Sequence, residues 1–451
     1  MTYSTPTPLA PISAQARVHS VDVLRGIAVL GILAMNIIAF ALPSVSYMTP
    51  MDDAANAYAG GFTGWNKAVW FVQYMVFDQK LMTIFSMLFG AGLVLMDGRA
   101  VAADPSRRGF AAIYYRRLAW LLLFGLIHAY LFWFGDILTA YALCGLLLYP
   151  LRKLSPARLI AIGIVLMCIG ALLLLGMGFG LEYTRGAAEQ ARQAVAAGRT
   201  LTQSEQSMLD MWATGGPSWG EGPEGVEKEV IALRGPWIEN IKHTAMHSFF
   251  MQLFLLPLQI LWHCGGLMLI GMGLMKMGVF SAARSTKFYG VLAAVGLAIG
   301  WPLAFIGARL SIENKFDMVK TFLIDGQFNY FGSFFAALGY TGLVMLWCKT
   351  GGVTGLRARF AAVGRMAFTN YLMQTLICTF IFYGWGLGYF ASFERWMLPA
   401  FVIGVWAIQL ILSPIILARW RMGPMEWVWR SLTYWKVQPM RRDAPIADGQ
   451  P

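Results

Sequence analysis

Long apolar runs recur along the whole chain, and a few polar side chains are set inside them. Read at about 18 residues or more per crossing, the runs predict ten membrane-spanning helices, at 21–42, 68–96, 115–134, 136–152, 157–181, 246–275, 286–308, 326–348, 365–390 and 396–418. The second run is too long for one crossing. Residues 65–77 read as an approach along the interface, with the crossing starting near Lys80. A membrane β-barrel needs alternating segments of about ten residues. Leu159–Leu175 is continuously apolar instead.

The fold class is therefore an all-α polytopic membrane protein. Basic residues cluster in alternate loops: Arg99, Arg107, Arg108, Arg116 and Arg117, then Arg152, Lys153 and Arg158, then Lys276, Arg284 and Lys287, then Lys349, Arg357 and Arg359. The positive-inside rule makes these loops cytoplasmic, with both termini on the same side. The expected organisation is a disordered cytoplasmic tail at 1–19, a five-span half at 20–181, an extracytoplasmic loop at 182–245, a second five-span half at 246–436 and a disordered tail at 437–451. Within the long loop, Ala187–Ala197 is a good helix former and Gly215–Gly225 reads as irregular.

Composition agrees with this reading. The chain of 451 residues is 58% hydrophobic and 13% charged, where a soluble domain carries about 25% charged residues. The net charge of +12 is spread through short loops, which excludes a nucleic-acid-binding surface. Cys144, Cys168, Cys264, Cys348 and Cys378 all fall in apolar runs without metal-ligand spacing. His243 and His247 are four apart, but no acidic ligand adjoins them in sequence, so no metal is expected.

The intramembrane polar residues carry the candidate chemistry, because an ionisable group in hydrocarbon costs a few kcal/mol. Asp22 and Arg25 lie three apart at the start of the first span. They read either as a cap with a snorkelling cation or as an anion-binding pair at the cytoplasmic mouth. Asn36 lies about three turns further along the same side. His128 reads as a helix–helix hydrogen bond or as a general base. Asp136 reads as a helix cap or as a group that orients a histidine or binds an acceptor. Asn36 and His128 each sit about six residues from the outer end of their helix, so depth alone allows them to share a site. His263, mid-membrane, is the second candidate for proton transfer. Arg365, Thr369, Asn370 and Gln374 form a polar stripe, read either as interhelical glue or as a ligand guide. Lys80 joins the same donor-binding set. Gly423-Pro424-Met-Glu426-Trp-Val-Trp-Arg430 reads as an interfacial helix with tryptophan anchors.

Asp22-Val-Leu-Arg25-Gly26, Thr83-Ile-Phe-Ser86-Met-Leu-Phe-Gly90-Ala-Gly92, Gly135-Asp136-Ile137-Leu138, Gly364-Arg365-Met-Ala-Phe-Thr369-Asn370-Tyr371-Leu-Met-Gln374 and Gly423-Pro424-Met-Glu426-Trp together resemble the YeiB-like family of bacterial inner-membrane proteins. The last two segments are the most specific. That family is similar, more remotely, to transmembrane acyltransferases of the heparan-α-glucosaminide N-acetyltransferase type, through Ser20-Val-Asp22-Val-Leu-Arg25-Gly26 followed by Asn36. The resemblance implies a cytosolic acyl-CoA donor, acetyl-CoA above all, and an acceptor on the far side. It also implies an asparagine and an intramembrane histidine at the chemistry. Residues 37–127 contain no histidine, so His128 stands as the substitute. The expectation is an inner-membrane acyltransferase: Arg25 and Arg365 hold the donor, the stripe guides it, His128 or His263 acts as base, and Asn36 stabilises the oxyanion. The alternative is a transporter of a small anionic or amphipathic solute. The partners expected are the lipid bilayer, a small-molecule donor and acceptor, and no nucleic acid; a homodimer is compatible with this reading.

Overall fold

A computed structural model describes residues 18–103, 109–213 and 222–442. Among these residues every regular element is a helix, and the β-type pairing consists of one isolated bridge, Trp420 to Arg441. The helices that build the bundle are α1 (His19–Ala41), α2 (Gly64–Val72), α3 (Lys80–Ala103), α4 (Phe110–Leu131), α5 (Leu138–Leu148), α6 (Pro156–Ala196), α7 (Gln203–Ala213), α8 (Gly222–Arg234), α9 (Trp237–Phe250), α10 (Leu261–Lys276), α11 (Thr286–Glu313), α12 (Gly326–Thr350), α13 (Thr354–Arg365), α14 (Ala367–Phe382), α15 (Leu398–Arg419) and α16 (Pro424–Tyr434).

Among the described residues, eight helical stretches are long and apolar enough to cross a membrane. The fourth and ninth expected spans are shorter than the sequence suggested. The fourth is α5, eleven residues, followed by a 3-10 turn at Tyr149–Lys153 that contains Pro150. The ninth is α14, sixteen residues, or about 24 Å at 1.5 Å per residue, against roughly 30 Å of hydrocarbon. Beyond Phe382 the chain is still apolar but runs through Gly384, Gly386 and Gly388, and Gly388 has a positive φ of 72°. Apolarity continues there while helix does not.

Further differences concern the long loop and the tails. α6 runs unbroken from the bundle to Ala196, so Ala187–Ala196 is helical as expected. The expected irregular stretch 215–225 falls partly outside the described residues, and from Gly222 onward it is helix. Residues 1–17 and 443–451, expected as disordered tails, lie outside the described residues as well. Residues 437–442, expected to belong to the second tail, are instead tied down. The Arg421 amide donates to the Met440 carbonyl (2.9 Å), and Trp427 Nε1 donates to the Gln438 carbonyl (2.7 Å).

Close helix packing rests on glycines, as the weak hydrophobic drive between helices in lipid requires. α1 and α13 meet at Gly26 and Gly364. A Cβ built on Gly26 would land on the Phe360 carbonyl, and one built on Gly364 would land on the Asp22 carbonyl. Gly364→Ala is therefore expected to push α13 off α1 and cost about 1–3 kcal/mol. A lowered thermal midpoint of the purified protein in detergent would register it, and an unchanged midpoint would count against this contact.

Three wide-turn π segments interrupt the helices, at Gln73–Phe77, Met251–Ile260 and Thr321–Asp325. Pro257 lies inside the second and cannot donate to the ladder. The first ends in a full break at Asp78 and Gln79, where Gln79 has φ 59°. Interruptions of this kind recur at functional sites. They free polar groups to face a cavity, and the Gln73–Phe77 break does so here.

Candidate functional site: two cavities joined at Tyr371

Among the described residues, a pair of cavities inside the bundle gathers the candidate chemistry. The first, about 280 Å³, is enclosed by α1, α3, α4, α5, α14 and α16. Arg25, Arg99, Arg117, Arg365 and Arg430 line it, with Asp22 and Glu426 the carboxylates among them. We refer to it as the basic cavity. Its far end is apolar and aromatic, formed by Phe85, Leu88, Tyr141 and Tyr371.

Local chemistry holds the basic end in shape. Arg25 Nη1 donates to Asp22 Oδ1 (3.2 Å), the i, i+3 arrangement read from sequence. Arg365 Nη2 donates to the Arg421 carbonyl (3.3 Å). The Arg117 guanidinium stacks 3.6 Å from the centre of the Trp429 ring, whose Nε1 donates to the Arg117 carbonyl (2.8 Å). This cation–π contact docks α16 onto α4. Glu426 fixes the other end of the dock. Its Oε1 accepts from the Phe368 and Thr369 amides (2.8 and 3.1 Å) at the first turn of α14, and its Oε2 accepts from Thr369 Oγ1 (2.6 Å). Burial pushes the Glu426 carboxyl up, against the pull of these donors in the other direction.

The second cavity, about 350 Å³, lies further along α1 and toward the start of α3, where the Gln73–Phe77 and Met251–Ile260 segments, α10, α11 and α12 complete its wall. Asn36, Gln73, Asp78, Gln259, His263 and Asn329 line it. We call it the amide cavity. Gln73 Nε2 donates to the Ala34 carbonyl (2.8 Å), which fixes the amide orientation and leaves Oε1 buried with no partner among the described residues. His263 is 2% exposed, its ring lies 4.4 Å from that of Tyr330, and neither ring nitrogen has a hydrogen-bond partner among the described residues. Ile32, Ile137 and Tyr371 line both cavities. The hydroxyl of Tyr371 accepts from the Ile137 amide (3.4 Å).

The sequence-derived candidates divide between these places. Asp22, Arg25 and Arg365 converge on the basic cavity, and Asn36 and His263 on the amide cavity. His128 lines neither. Its Nδ1 bonds Asp136 Oδ1 (2.9 Å) and its Nε2 bonds Thr375 Oγ1 (2.9 Å), so both nitrogens are engaged. The site expected to hold Asn36 and His128 together therefore does not form. Equal depth set their height in the bundle, but His128 turns toward α14. Asp136 serves both of its readings at once, orienting His128 with one oxygen and accepting from the Thr139 amide (2.8 Å) with the other.

The polar stripe divides: Arg365 faces the basic cavity, while Thr369, Asn370 and Gln374 are bonded to neighbouring protein groups and act as interhelical glue. Asn370 donates to the Val363 carbonyl and Ser413 Oγ (both 3.1 Å), and Gln374 donates to the Val29 carbonyl (3.1 Å) and Gln409 Oε1 (3.0 Å). Thr369 is taken up by Glu426. Lys80 lines neither cavity and sits behind Asn329 in the wall of the amide cavity, away from the arginines. Its Nζ donates to Asn329 Oδ1 (2.7 Å) and the Tyr74 carbonyl (2.8 Å), and Asn329 Nδ2 donates to Asp78 Oδ2 (2.7 Å). His243 does meet an acid that sequence proximity could not show. Glu229 Oε1 is 3.8 Å from its Nε2, but Glu229 is already bonded to the Ser44 amide and hydroxyl.

Arg99, Arg117, Arg430, Glu426, Gln73, Asp78 and Asn329 were not anticipated as lining residues. The arginines read as ordinary loop charges of the positive side. The Trp-Val-Trp-Arg430 segment was the available signal, since an interfacial helix folded against span starts brings its polar face to their charges.

Residues 274–436 match the family described as protein of unknown function (DUF418). The chain is 34% identical over 424 residues to the uncharacterized protein YeiB of Escherichia coli (strain K12), covering 92% of this chain and 95% of that protein. It is 31% identical to the uncharacterized protein YxaH of Bacillus subtilis (strain 168), covering 97% and 99%. An uncharacterized 39.9 kDa protein in the amylase 3' region of Bacillus acidopullulyticus is 26% identical, covering 95% and 97%. No solved structure matches the chain.

Proposed function

Since this chain belongs to the YeiB-like family, the DUF418 proteins, we propose that it is an acyltransferase of the bacterial inner membrane. It moves an acyl group from a cytosolic acyl-CoA-type donor, acetyl-CoA in the simplest case, to a hydroxyl or amine of an acceptor at the extracytoplasmic side. One observation carries this reading. A cavity ringed by five arginines and a cavity lined by amides, with Gln73 Oε1 and both His263 nitrogens unpartnered among the described residues, share a wall at Ile32, Ile137 and Tyr371. Positive-inside bias puts the arginine end in the cytoplasm.

The arginines suit a donor's phosphates, because guanidinium binds phosphate oxygens through charge-assisted bonds. The apolar far end suits a thioester arm. His263 accepts the proton of the acceptor's O–H or N–H as that group attacks the thioester carbonyl. Asn36 donates to the carbonyl oxygen as it becomes an oxyanion. The intermediate then collapses, the C–S bond breaks, and the thiolate takes the proton from the His263 imidazolium. His128, with both nitrogens engaged, positions α14 and Tyr371, whose ring lies 5.2 Å from its own.

Acetyl-CoA added to the purified protein is expected to raise its thermal midpoint, by an amount equivalent to about 2.7 kcal/mol at a hundredfold excess over Kd. Unrelated nucleotides should not. Arg117→Ala and Arg365→Ala should each weaken binding about tenfold, which roughly halves the stabilisation at the same acetyl-CoA concentration. No selective stabilisation by any CoA thioester would refute the donor assignment.

The end-to-end arrangement of the cavities favours a second reading, a transporter of a small anionic or amphipathic solute whose path crosses the Tyr371 wall. Accumulation of labelled solute in proteoliposomes without covalent change would select it.

A further inference from the structure

The open polar groups of the amide cavity define the chemistry of what enters it. Gln73 Oε1 is an acceptor in a fixed orientation, and it is buried without a partner. A buried polar atom left unpaired costs about 1–3 kcal/mol. His263 offers two nitrogens, of which a neutral ring makes one a donor and one an acceptor. Asn36 and Gln259 add amides that both donate and accept. A ligand that satisfies this set must supply donors and acceptors together, as hydroxyl groups do.

Charge narrows the class further. Asp78 is the ionic side chain among the lining residues, and it is tied through Asn329 to Lys80 behind the wall: Asn329 takes Lys80 Nζ on its oxygen and gives its amide hydrogen to Asp78. The pair is compensated within the protein. A protonated amine brought here would find no uncompensated carboxylate, and an anion would find no spare cation. Burying such a charge unpaired is costly. Trp70, Tyr74 and Phe77 supply apolar faces alongside. The contrast with the basic cavity, where arginines outnumber carboxylates, is sharp.

We propose that the amide cavity binds an uncharged polyhydroxyl compound, and that the acyl group is therefore delivered to oxygen, forming an ester and not an amide. The first half stands on the cavity alone. The second half rests on the acyltransferase reading above.

The test uses the full-length purified protein. Thermal midpoints are measured with glycerol and myo-inositol, with ethanolamine as the protonated-amine probe, and with glycerol phosphate as the anionic probe. Asn36→Leu and Gln73→Met are run beside the wild type. Asn36 makes no side-chain hydrogen bond among the described residues, so its replacement preserves the fold if Gln73→Met does not. The expected result is a saturable shift with a polyol, at least tenfold weaker with the charged probes, and lost in Asn36→Leu. Equal shifts in wild type and variant, which would be a general solvent effect of polyols, overturn the assignment. So does a preference for ethanolamine that Asp78→Asn removes. A second arm incubates the protein with labelled acetyl-CoA and an equimolar mixture of the bound polyol and ethanolamine, which offers an amine as well as a hydroxyl, and treats the product with hydroxylamine, which cleaves an ester and spares an amide. A resistant product overturns delivery to oxygen and leaves acyl transfer standing. Saturable polyol binding with no labelled product overturns acyl transfer and leaves the cavity assignment standing.

Discussion

His263→Ala is expected to lower acyl transfer by about 10²–10⁴-fold, the usual worth of a positioned general base, while leaving stabilisation by acetyl-CoA unchanged. The split between the two readouts follows from geometry. His263 lines the amide cavity and no part of the basic one. Its ring makes no hydrogen bond that the substitution would break. The fold loses only the packing of the ring on Tyr330, and His263→Gln keeps most of that volume without the imidazole. His128→Ala should behave differently. It strands the Asp136 carboxylate and the Thr375 hydroxyl inside the bundle, so the expected loss is about 3 kcal/mol of stability with donor binding falling alongside. Turnover of His263→Ala equal to wild type would remove His263 from the chemistry, whatever its effect on stability.

The contrast between these histidines marks where sequence stops being legible. Helix depth could be counted from the chain, and it put Asn36 and His128 at one level. Rotation about the helix axis could not, because a helix that is apolar nearly all round offers no polar face to orient it. The Asp22–Arg25 pair was readable for the opposite reason: three-residue spacing at a helix start fixes both height and face, and the pair is there at 3.2 Å. Asn370 and Gln374 show a second limit. Polar residues at i, i+4 look the same whether they face a ligand or a neighbouring helix, and here the partners are Ser413 and Gln409 on α15. The basic cavity was half visible. Arg25 and Arg365 stood out inside apolar runs, whereas Arg99, Arg117 and Arg430 were hidden among loop charges until the dock of α16 on α4 brought them to the same space. The bundle itself was the most legible feature, since apolar length predicts crossings. Its errors came at α5 and α14, where proline and glycine end a helix that hydropathy alone would continue.

Lys80→Met should be among the most destabilising single changes in the bundle, at about 3–5 kcal/mol. Lys80 is fully buried, and its ammonium is held by Asn329 Oδ1 and the Tyr74 carbonyl. Removing it leaves Asp78 as an uncompensated charge in a low-dielectric interior, the costly half of a broken buried pair. The same logic predicts the rescue. Lys80→Met combined with Asp78→Asn removes both charges and should recover most of the loss, because two neutral groups of similar shape replace a pair whose desolvation offset much of its attraction. Unfolding of the single and double variants in detergent measures the coupling, and additive losses would show that the two groups do not sense each other. The consequence reaches the amide cavity. Asp78 ends the wide turn that begins at Gln73, and the Asp78 amide donates to the Gln73 carbonyl (2.9 Å). The bridge from Lys80 through Asn329 thus sets the geometry of the turn that carries the Gln73 acceptor. Lys80→Met should lose polyol binding along with stability, and the double variant should regain stability first. If the double variant folds as well as wild type and binds polyol again, the charges act only through the fold of the turn; restored folding without binding would show that the pair contributes to recognition itself.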